Sequence, residues 1–492
     1  MNTYPAVDPR GQERQLDQGR APKLAGIEAS KAASSPSAIE QTVSRVRATF
    51  DTGRTRSYEW RVQQLDGLLQ MLSVEEKAIG EALHADVGKP SLEAWIAEVS
   101  DCVNGTKYIK KNLRKWMKPE RVSTAVAAMP GKSRIVREPL GVVLVITPWN
   151  YPFSLAINPI AGALAAGNCV VVKPSEVAPA TSALLARLLP KYLDQEAVAV
   201  VEGAVPETTE LLAQRFDHIF YTGNGTVGRI VMQAAAKHLT PVTLELGGKS
   251  PCIIDESVDL EVGARRVAWT KFYNCGQTCV APDYLLVHAS VHDAFVTKLK
   301  DTLKEFFGED PQRSKDYGRI VNARHHRRLM SLLPGSGEVA VGGVGDESDR
   351  YLAPTILTGV GPEAPIMRDE IFGPILPVIK VDNLEQAIGF INARPKPLAL
   401  YLFSGSDASY EQVVSRTSSG GMVMNHAMIH LGVHSLPFGG VGESGMGAYH
   451  GKHSFDTFSH KKAVLKKGSF IDPSFAYPPY TESKEGWLRR LL

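Results

Sequence analysis

The chain has 492 residues, 43% hydrophobic and 22% charged, an ordinary soluble composition and too long for one core, so two or more domains are expected. With 55 basic and 52 acidic residues the net charge is +3, which gives no footprint for nucleic acid as a partner, and no apolar run reaches bilayer-spanning length. Five cysteines argue against a disulfide framework and fit a reducing compartment where a thiol stays nucleophilic.

Residues 1–36 are polar and aperiodic and read as a disordered extension. They hold Asp8, Glu13, Asp17 and Glu28 and no continuous apolar segment, so a cytoplasmic location is expected. Order begins at Ser37, where Ser37 and Glu40 have capping-box spacing. Ile39, Val43, Val46 and Phe50 then recur at helical intervals. Leu65, Leu68, Leu69 and Leu72 mark a second helix, and a third is predicted to start at Ser73, with Glu76 three residues on. Lys107, Lys110, Lys111, Arg114, Lys115, Lys118 and Arg121 form a basic stretch, read as a solvated helix face rather than a membrane-contacting one. A hairpin is predicted over 123–136, turning near Pro130-Gly131.

From Gly141 the pattern changes to strand–helix alternation. Strands are predicted at 142–146, 168–173, 197–201, 218–222 and 242–246, with helices around 160–166, 181–193, 208–215 and 227–237. Buried apolar strands alternating with helices mean a parallel sheet covered on both faces. Ligands on such sheets bind beyond the carboxyl ends of the strands, where Asn150 and Lys173 fall. A second alternating region follows Gly247 and runs to about Leu436.

Three residues carry chemistry. Cys279 lies in Asn274-Cys275-Gly276-Gln277-Thr278-Cys279-Val280-Ala281-Pro282. A free thiol has a pKa of about 8.5, so it needs a base or a positive potential to act at neutral pH; the bland alternative is a buried inert cysteine. Glu245 sits on an alternating strand, where a buried carboxylate must be paired or functional. Its alternatives are a salt bridge to a neighbouring helix, or a base that activates water or the thiol. Asn150, between Pro148 and Pro152, is a candidate oxyanion donor or a plain turn residue.

Two patterns are weaker. Gly223-Asn224-Gly225-Thr226-Val227-Gly228 follows a strand and precedes a helix, as the dinucleotide fingerprint does. It occurs at the fourth strand, with no acidic residue about 20 positions on at a strand end. It is therefore read as a helix N-terminus near a pyrophosphate. His426, His430 and His434 are spaced by four, but Gly432 and the lack of nearby Cys or carboxylate partners make a metal site unconvincing. No metal is expected.

Taken in order, these segments resemble the NAD(P)-dependent aldehyde dehydrogenases over about residues 39–467. Thr147-Pro148-Trp149-Asn150-Tyr151-Pro152 resembles the oxyanion-asparagine segment, Lys173-Pro174-Ser175-Glu176 the adenosine-ribose site, and Phe220-Tyr221-Thr222-Gly223 to Gly228 the phosphate-side loop. Leu244-Glu245-Leu246-Gly247-Gly248-Lys249 is similar to the glutamate signature and Gly276-Gln277-Thr278-Cys279 to the cysteine signature. Glu370-Ile371-Phe372-Gly373-Pro374 resembles the segment at the nicotinamide ribose. The run from Leu436 to Gly451, Asn274-Cys275, and Lys237 to Pro241 resemble the class 3 branch, which takes fatty and aromatic aldehydes. Gly225 stands where many relatives have Ser or Thr.

The resemblance implies an α/β fold: a Rossmann-type cofactor domain (37–118 and 137–246), an α/β catalytic domain (247–437), a small β oligomerisation element (119–136 and 438–470) and a C-terminal tail (471–492). It implies a homodimer, NAD or NADP as cofactor, and an aldehyde as substrate. Cys279 would attack the carbonyl, Asn150 and the Cys279 N–H would hold the oxyanion, and Glu245 would activate water for thioester hydrolysis. Trp149, Lys173, Glu176, Gly223, Gly228, Glu370 and Phe372 would contact the cofactor. Tyr151, Tyr273 and the 428–431 loop would line an apolar entrance. Two alternatives are a CoA-acylating dehydrogenase, against which Glu245 argues, and a non-catalytic binding protein on this fold.

Overall fold

The computed structural model describes residues 37–472 and 474–491; the expected disordered extension, residues 1–36, lies outside the described residues. Helix Ala38–Asp51 buries Val43 and Val46. Helix Tyr58–Val74 follows, its N-terminus capped by the Ser57 hydroxyl, which accepts from the Trp60 N–H at 3.1 Å. The third helix departs from expectation. Ser73 lies in the last turn of the second helix, and Glu76–Val87 begins after Glu75. The Glu75 carboxylate accepts from Lys191 and Tyr192, and this tie to a distant helix holds the break two residues beyond Ser73.

A long helical stretch comes next: Ser91–Ala94 is α-helical, Trp95–Ser100 is π-helical, and Asp101–Trp116 is α-helical again. Its last section buries Ile109, Leu113 and Trp116 on one face. On its polar side Lys110 pairs with Asp66, and the Arg114 guanidinium lies 4.0 Å from the Tyr58 ring centroid, so the long cationic stems pack while their heads stay wet.

The first large sheet runs, edge to edge, Gly445–Met446, Val242–Glu245, His218–Thr222, Val142–Ile146, Cys169–Lys173, Val198–Val200. Its strands pair in parallel except for Gly445–Met446. The strand that comes first in the chain, Val142–Ile146, is central, flanked by the second and the fourth. That reversal creates a crevice at the carboxyl ends of Val142–Ile146 and His218–Thr222. The chain then builds a seven-stranded sheet, ordered Glu338–Val341, Thr355–Thr358, Ile375–Val381, Tyr284–His288, Pro251–Ile254, Ala399–Phe403, Gly421–Met424, parallel apart from the Glu338–Val341 edge.

A separate three-stranded antiparallel sheet joins Glu120–Val122, Gly131–Pro139 and Ser459–Lys467. The hairpin expected over 123–136 is wider than the Pro130-Gly131 turn implied. Pairing starts at Glu120↔Ile135, and the connection carries a 3-10 turn at Val126–Ala128. Thr124 Oγ1 accepts from the Ser133 N–H at 3.1 Å and bonds its hydroxyl at 2.9 Å, which replaces ladder pairing beyond Val122. Helix Glu482–Leu491 is the last element among the described residues. Among the described residues no helix is long and apolar enough to cross a membrane.

Candidate active site

The crevice between the first and fourth strands receives both segments singled out above. Thr147 to Asn150 leaves the end of Val142–Ile146, and Gly223 to Gly228 leaves the end of His218–Thr222. Asn150 is 3% exposed. Its carboxamide donates to the Gln277 carbonyl at 3.0 Å, which uses one of its two N–H groups and leaves one to offer a ligand. Its backbone carbonyl accepts from the Asn274 amide at 2.9 Å and the Lys89 ammonium at 3.1 Å.

Cys279 sits in the loop between helix Leu260–Phe272 and strand Tyr284–His288. Asn274 and Cys275 both take left-handed backbones, with φ of 51° and 56°; non-glycine residues reach this region at a cost and do so disproportionately at functional sites. Gly276 follows with φ of 70°, and a Cβ there would stand 2.3 Å from the Gly373 carbonyl oxygen. Only glycine lets the 370–374 segment close over the loop. Buried Gln277 donates to the Asn274 and Arg319 carbonyls and accepts from the Val321 N–H. Tyr151 and Thr278 share a hydrogen bond of 2.7 Å between their hydroxyls.

Cys279 is left partly exposed on this clamped loop, whereas the other four cysteines are buried. Burial, with the negative charge of Glu370 and Glu245 nearby, pushes its thiol above the ordinary range, against smaller help from the Cys279 and Val280 N–H groups. The resting nucleophile is therefore a thiol, and attack requires loss of its proton.

Glu245 ends strand Val242–Glu245, 2% exposed. Neither carboxylate oxygen has a hydrogen-bond partner among the described residues, and no ion pair reaches it there, so the salt-bridge alternative does not describe this structure. Its backbone is fixed: its carbonyl accepts from the Gly223 N–H at 3.0 Å, and Gly445 pairs opposite it. Burial pushes its carboxyl well above the usual carboxylate range. A buried carboxyl without partners beside a thiol is the pattern of a proton acceptor held ready for a ligand or water.

The remaining candidates form a track. Lys173, 2% exposed, donates to the Pro174 carbonyl at 2.7 Å and lies 3.5 Å from the exposed Glu176 carboxylate; burial lowers its pKa. An ammonium beside a carboxylate at a strand end offers a donor and an acceptor to a vicinal diol. Helix Gly225–Ala236, which follows Gly223 and buries Gly228, starts after Asn224, whose side chain accepts from the Val227 N–H at 3.0 Å. The other N–H groups of its first turn lack intrahelical partners, a setting that binds phosphate.

Glu370 lies next to Gly247, where a Cβ would come within 2.0 Å of its Oε2. Burial, and then Asp283, raise its carboxyl to about 8 although the Gly248 N–H bonds it. Phe372, at φ of 50°, stands edge-on to Trp149 with centroids 5.3 Å apart, and His325 lies 5.2 Å from the same indole. The Lys173–Glu176 donor and acceptor, the free N–H groups of the helix start and the Glu370 carboxyl are the kinds of group that riboses and a pyrophosphate require.

The three spaced histidines diverge. His426 packs on Trp269, His430 on Tyr401 and Phe438, and His434 on Tyr108 and His450. Sequence reasoning missed Lys89, Glu93, Glu98, Asn274 as a clamp, and His325. Of these only Asn274 carried a signal, its place beside the cysteine segment.

The "Aldehyde dehydrogenase family" profile matches residues 20–464. The chain is 52% identical over 456 residues to "Aldehyde dehydrogenase family 3 member A2" of Mus musculus, covering 92% of this chain and 94% of the relative. It is 51% identical over 445 residues to "Aldehyde dehydrogenase, dimeric NADP-preferring" of Canis lupus familiaris, covering 90% and 98%. Among solved structures it superposes on the substrate-bound state of Staphylococcus aureus AldH with a TM-score of 0.90 at 44% identity, covering 92% of this chain and 99% of that one.

Proposed function

The chain belongs to the aldehyde dehydrogenase family, with NAD(P)-dependent oxidation of aldehydes as its activity, and we propose that Cys279, Glu245 and Asn150 carry the chemistry on medium- or long-chain aliphatic or aromatic aldehydes. The observation that carries the proposal is the buried Glu245 carboxyl, neither oxygen of which has a hydrogen-bond partner among the described residues, near the one partly exposed thiol, Cys279. Cys279 gives its thiol proton to solvent as Sγ bonds the aldehyde carbon, the carbonyl π bond breaks, and the oxygen takes up the negative charge. The free N–H of the Asn150 amide and the Cys279 backbone N–H hold that oxygen; one such donor is worth roughly 3 kcal/mol. A bound NAD(P), with Glu370 as the candidate holder of its nicotinamide ribose, would supply the hydride acceptor for that carbon, whose carbonyl re-forms as the Cys279 thioester. Glu245 then removes a proton from water as the water oxygen attacks the Cys279 thioester, and the C–S bond breaks to give the acid. Glu245 favours this outcome over acyl transfer to a second thiol, because hydrolysis needs a base.

Lys173 and Glu176 would hold one ribose, the first turn of Gly225–Ala236 the pyrophosphate, and Glu370 the other ribose. Apolar side chains support the substrate class. Trp269, 44% exposed, stands edge-on to Tyr273 with centroids 5.4 Å apart, and Ile429 is 56% exposed. A panel of aldehydes followed at 340 nm checks this. We expect kcat/KM to rise roughly fourfold per added methylene while chain length is being buried, with NAD or NADP as the cofactor. Equal turnover of short polar aldehydes would contradict the substrate class.

The chain is proposed to form a homodimer through the three-stranded sheet. Strand Ser459–Lys467 has no partner on its outer edge among the described residues and exposes Leu465, and open edges invite pairing. Light scattering should report twice the 53.5 kDa chain mass; a monomer at micromolar concentration would remove the assignment.

A further inference from the structure

The segment from Lys89 to Glu98 holds a buried ion pair aimed at the Asn150 turn. Both side chains are 0% exposed. The Lys89 ammonium donates to a Glu98 carboxylate oxygen and, at 3.1 Å, to the Asn150 carbonyl. It also lies 4.0 Å from the Tyr151 ring centroid. The other Glu98 oxygen accepts from the Phe153 and Ser154 N–H groups at 3.0 and 2.9 Å. The pair thus grips the Asn150 turn at its start, its ring and its exit into helix Ser154–Ala166.

Glu98 lies in the π-helical stretch Trp95–Ser100, a distortion that recurs at functional sites. The same segment reaches the nucleophile loop. Glu93 accepts from the Asn274 N–H at 2.9 Å, and the Asn274 amide bonds the same Asn150 carbonyl that Lys89 holds.

Desolvating two charges is expensive, and a buried ion pair is often no better for stability than apolar residues. A pair that spends its donors and acceptors on one catalytic turn is explained better by positioning. We infer that Lys89, anchored by Glu98, is a positioning residue that fixes the Asn150 carboxamide against the nucleophile loop. The inference rests on the reading of Asn150 as the oxyanion donor.

A double-mutant cycle tests it. Lys89→Met/Glu98→Gln removes the charges together while the glutamine oxygen still accepts at the helix start; Lys89→Met alone is run beside it. Each is measured in the wild-type and Asn150→Ala backgrounds, with cooperative melting and cofactor affinity as controls. In the wild-type background kcat should fall about a hundredfold, with aldehyde KM and cofactor affinity changed less than about threefold. In the Asn150→Ala background the same change should cost less than about threefold, because the group being positioned is gone. An equal fall in both backgrounds would overturn the inference while leaving Asn150 as donor. No effect of Asn150→Ala itself would overturn both.

Discussion

Cys279→Ala should lose aldehyde oxidation by at least about 10⁴-fold while still binding cofactor, because removal of a covalent nucleophile leaves only binding and oxyanion stabilisation. The thiol is the partly exposed one of five, on a loop held by Gly276 against Gly373 and by Gln277 on three backbone groups. No other cysteine can substitute. Cys102, Cys169, Cys252 and Cys275 are all buried, at most 1% exposed, and have no open face for an aldehyde. Steady-state turnover with each dinucleotide, with cofactor fluorescence as the binding control, checks the loss. Alkylation of the native enzyme should label one site per chain. Activity retained within tenfold by the alanine variant would mean that the chemistry does not pass through this sulfur.

Glu245→Gln should separate the two halves of the reaction. Thioester formation continues and gives a burst of about one equivalent of reduced cofactor per site. Hydrolysis then slows by roughly 10²–10⁴-fold, the usual worth of a general base. The pH dependence follows from the burial of Glu245, which disfavours its anion and raises its pKa well above the usual range. A carboxyl whose pKa is raised keeps its proton to higher pH than an ordinary carboxyl does and becomes a base only as pH rises through that higher value. Where hydrolysis limits turnover, kcat should therefore climb with pH above the ordinary carboxylate range, and the glutamine variant should lose that climb. Rapid mixing over a pH series checks both; a variant with wild-type steady-state turnover and no burst would contradict the assignment.

Much of the fold was legible because the buried strands announce themselves. Val142–Ile146 is a continuous apolar run and His218–Thr222 has an apolar Ile-Phe-Tyr centre, and both strands have the bounds that the pattern gives. Local spacing misled at Ser73, where the capping pattern lost to the Glu75 contacts with Lys191 and Tyr192. It misled again at the hairpin, where Thr124 bonds Ser133 instead of extending the ladder.

The site divides in the same way. Glu245 stood out as a carboxylate on an apolar strand, but its lack of partners depends on how every neighbour packs. Lys89 gave no sign, because its contact to Asn150 spans 61 residues and no periodicity reports on it. His325 reaches Trp149 from helix Ala323–Met330, far along the chain. The departure of the glycine-rich turn from the first to the fourth strand became intelligible only with the strand order, which sets that strand next to the first.

The central claim is a covalent acyl intermediate on Cys279 released by Glu245. Intact-protein mass spectrometry of Glu245→Gln, quenched seconds after mixing with a long-chain aldehyde and NAD, tests it most directly. The account predicts one adduct per chain with the mass of the acyl group, mapping to the Cys279 peptide and absent from Cys279→Ala/Glu245→Gln. Stoichiometric cofactor reduction with no adduct, or an adduct on another residue, would contradict it.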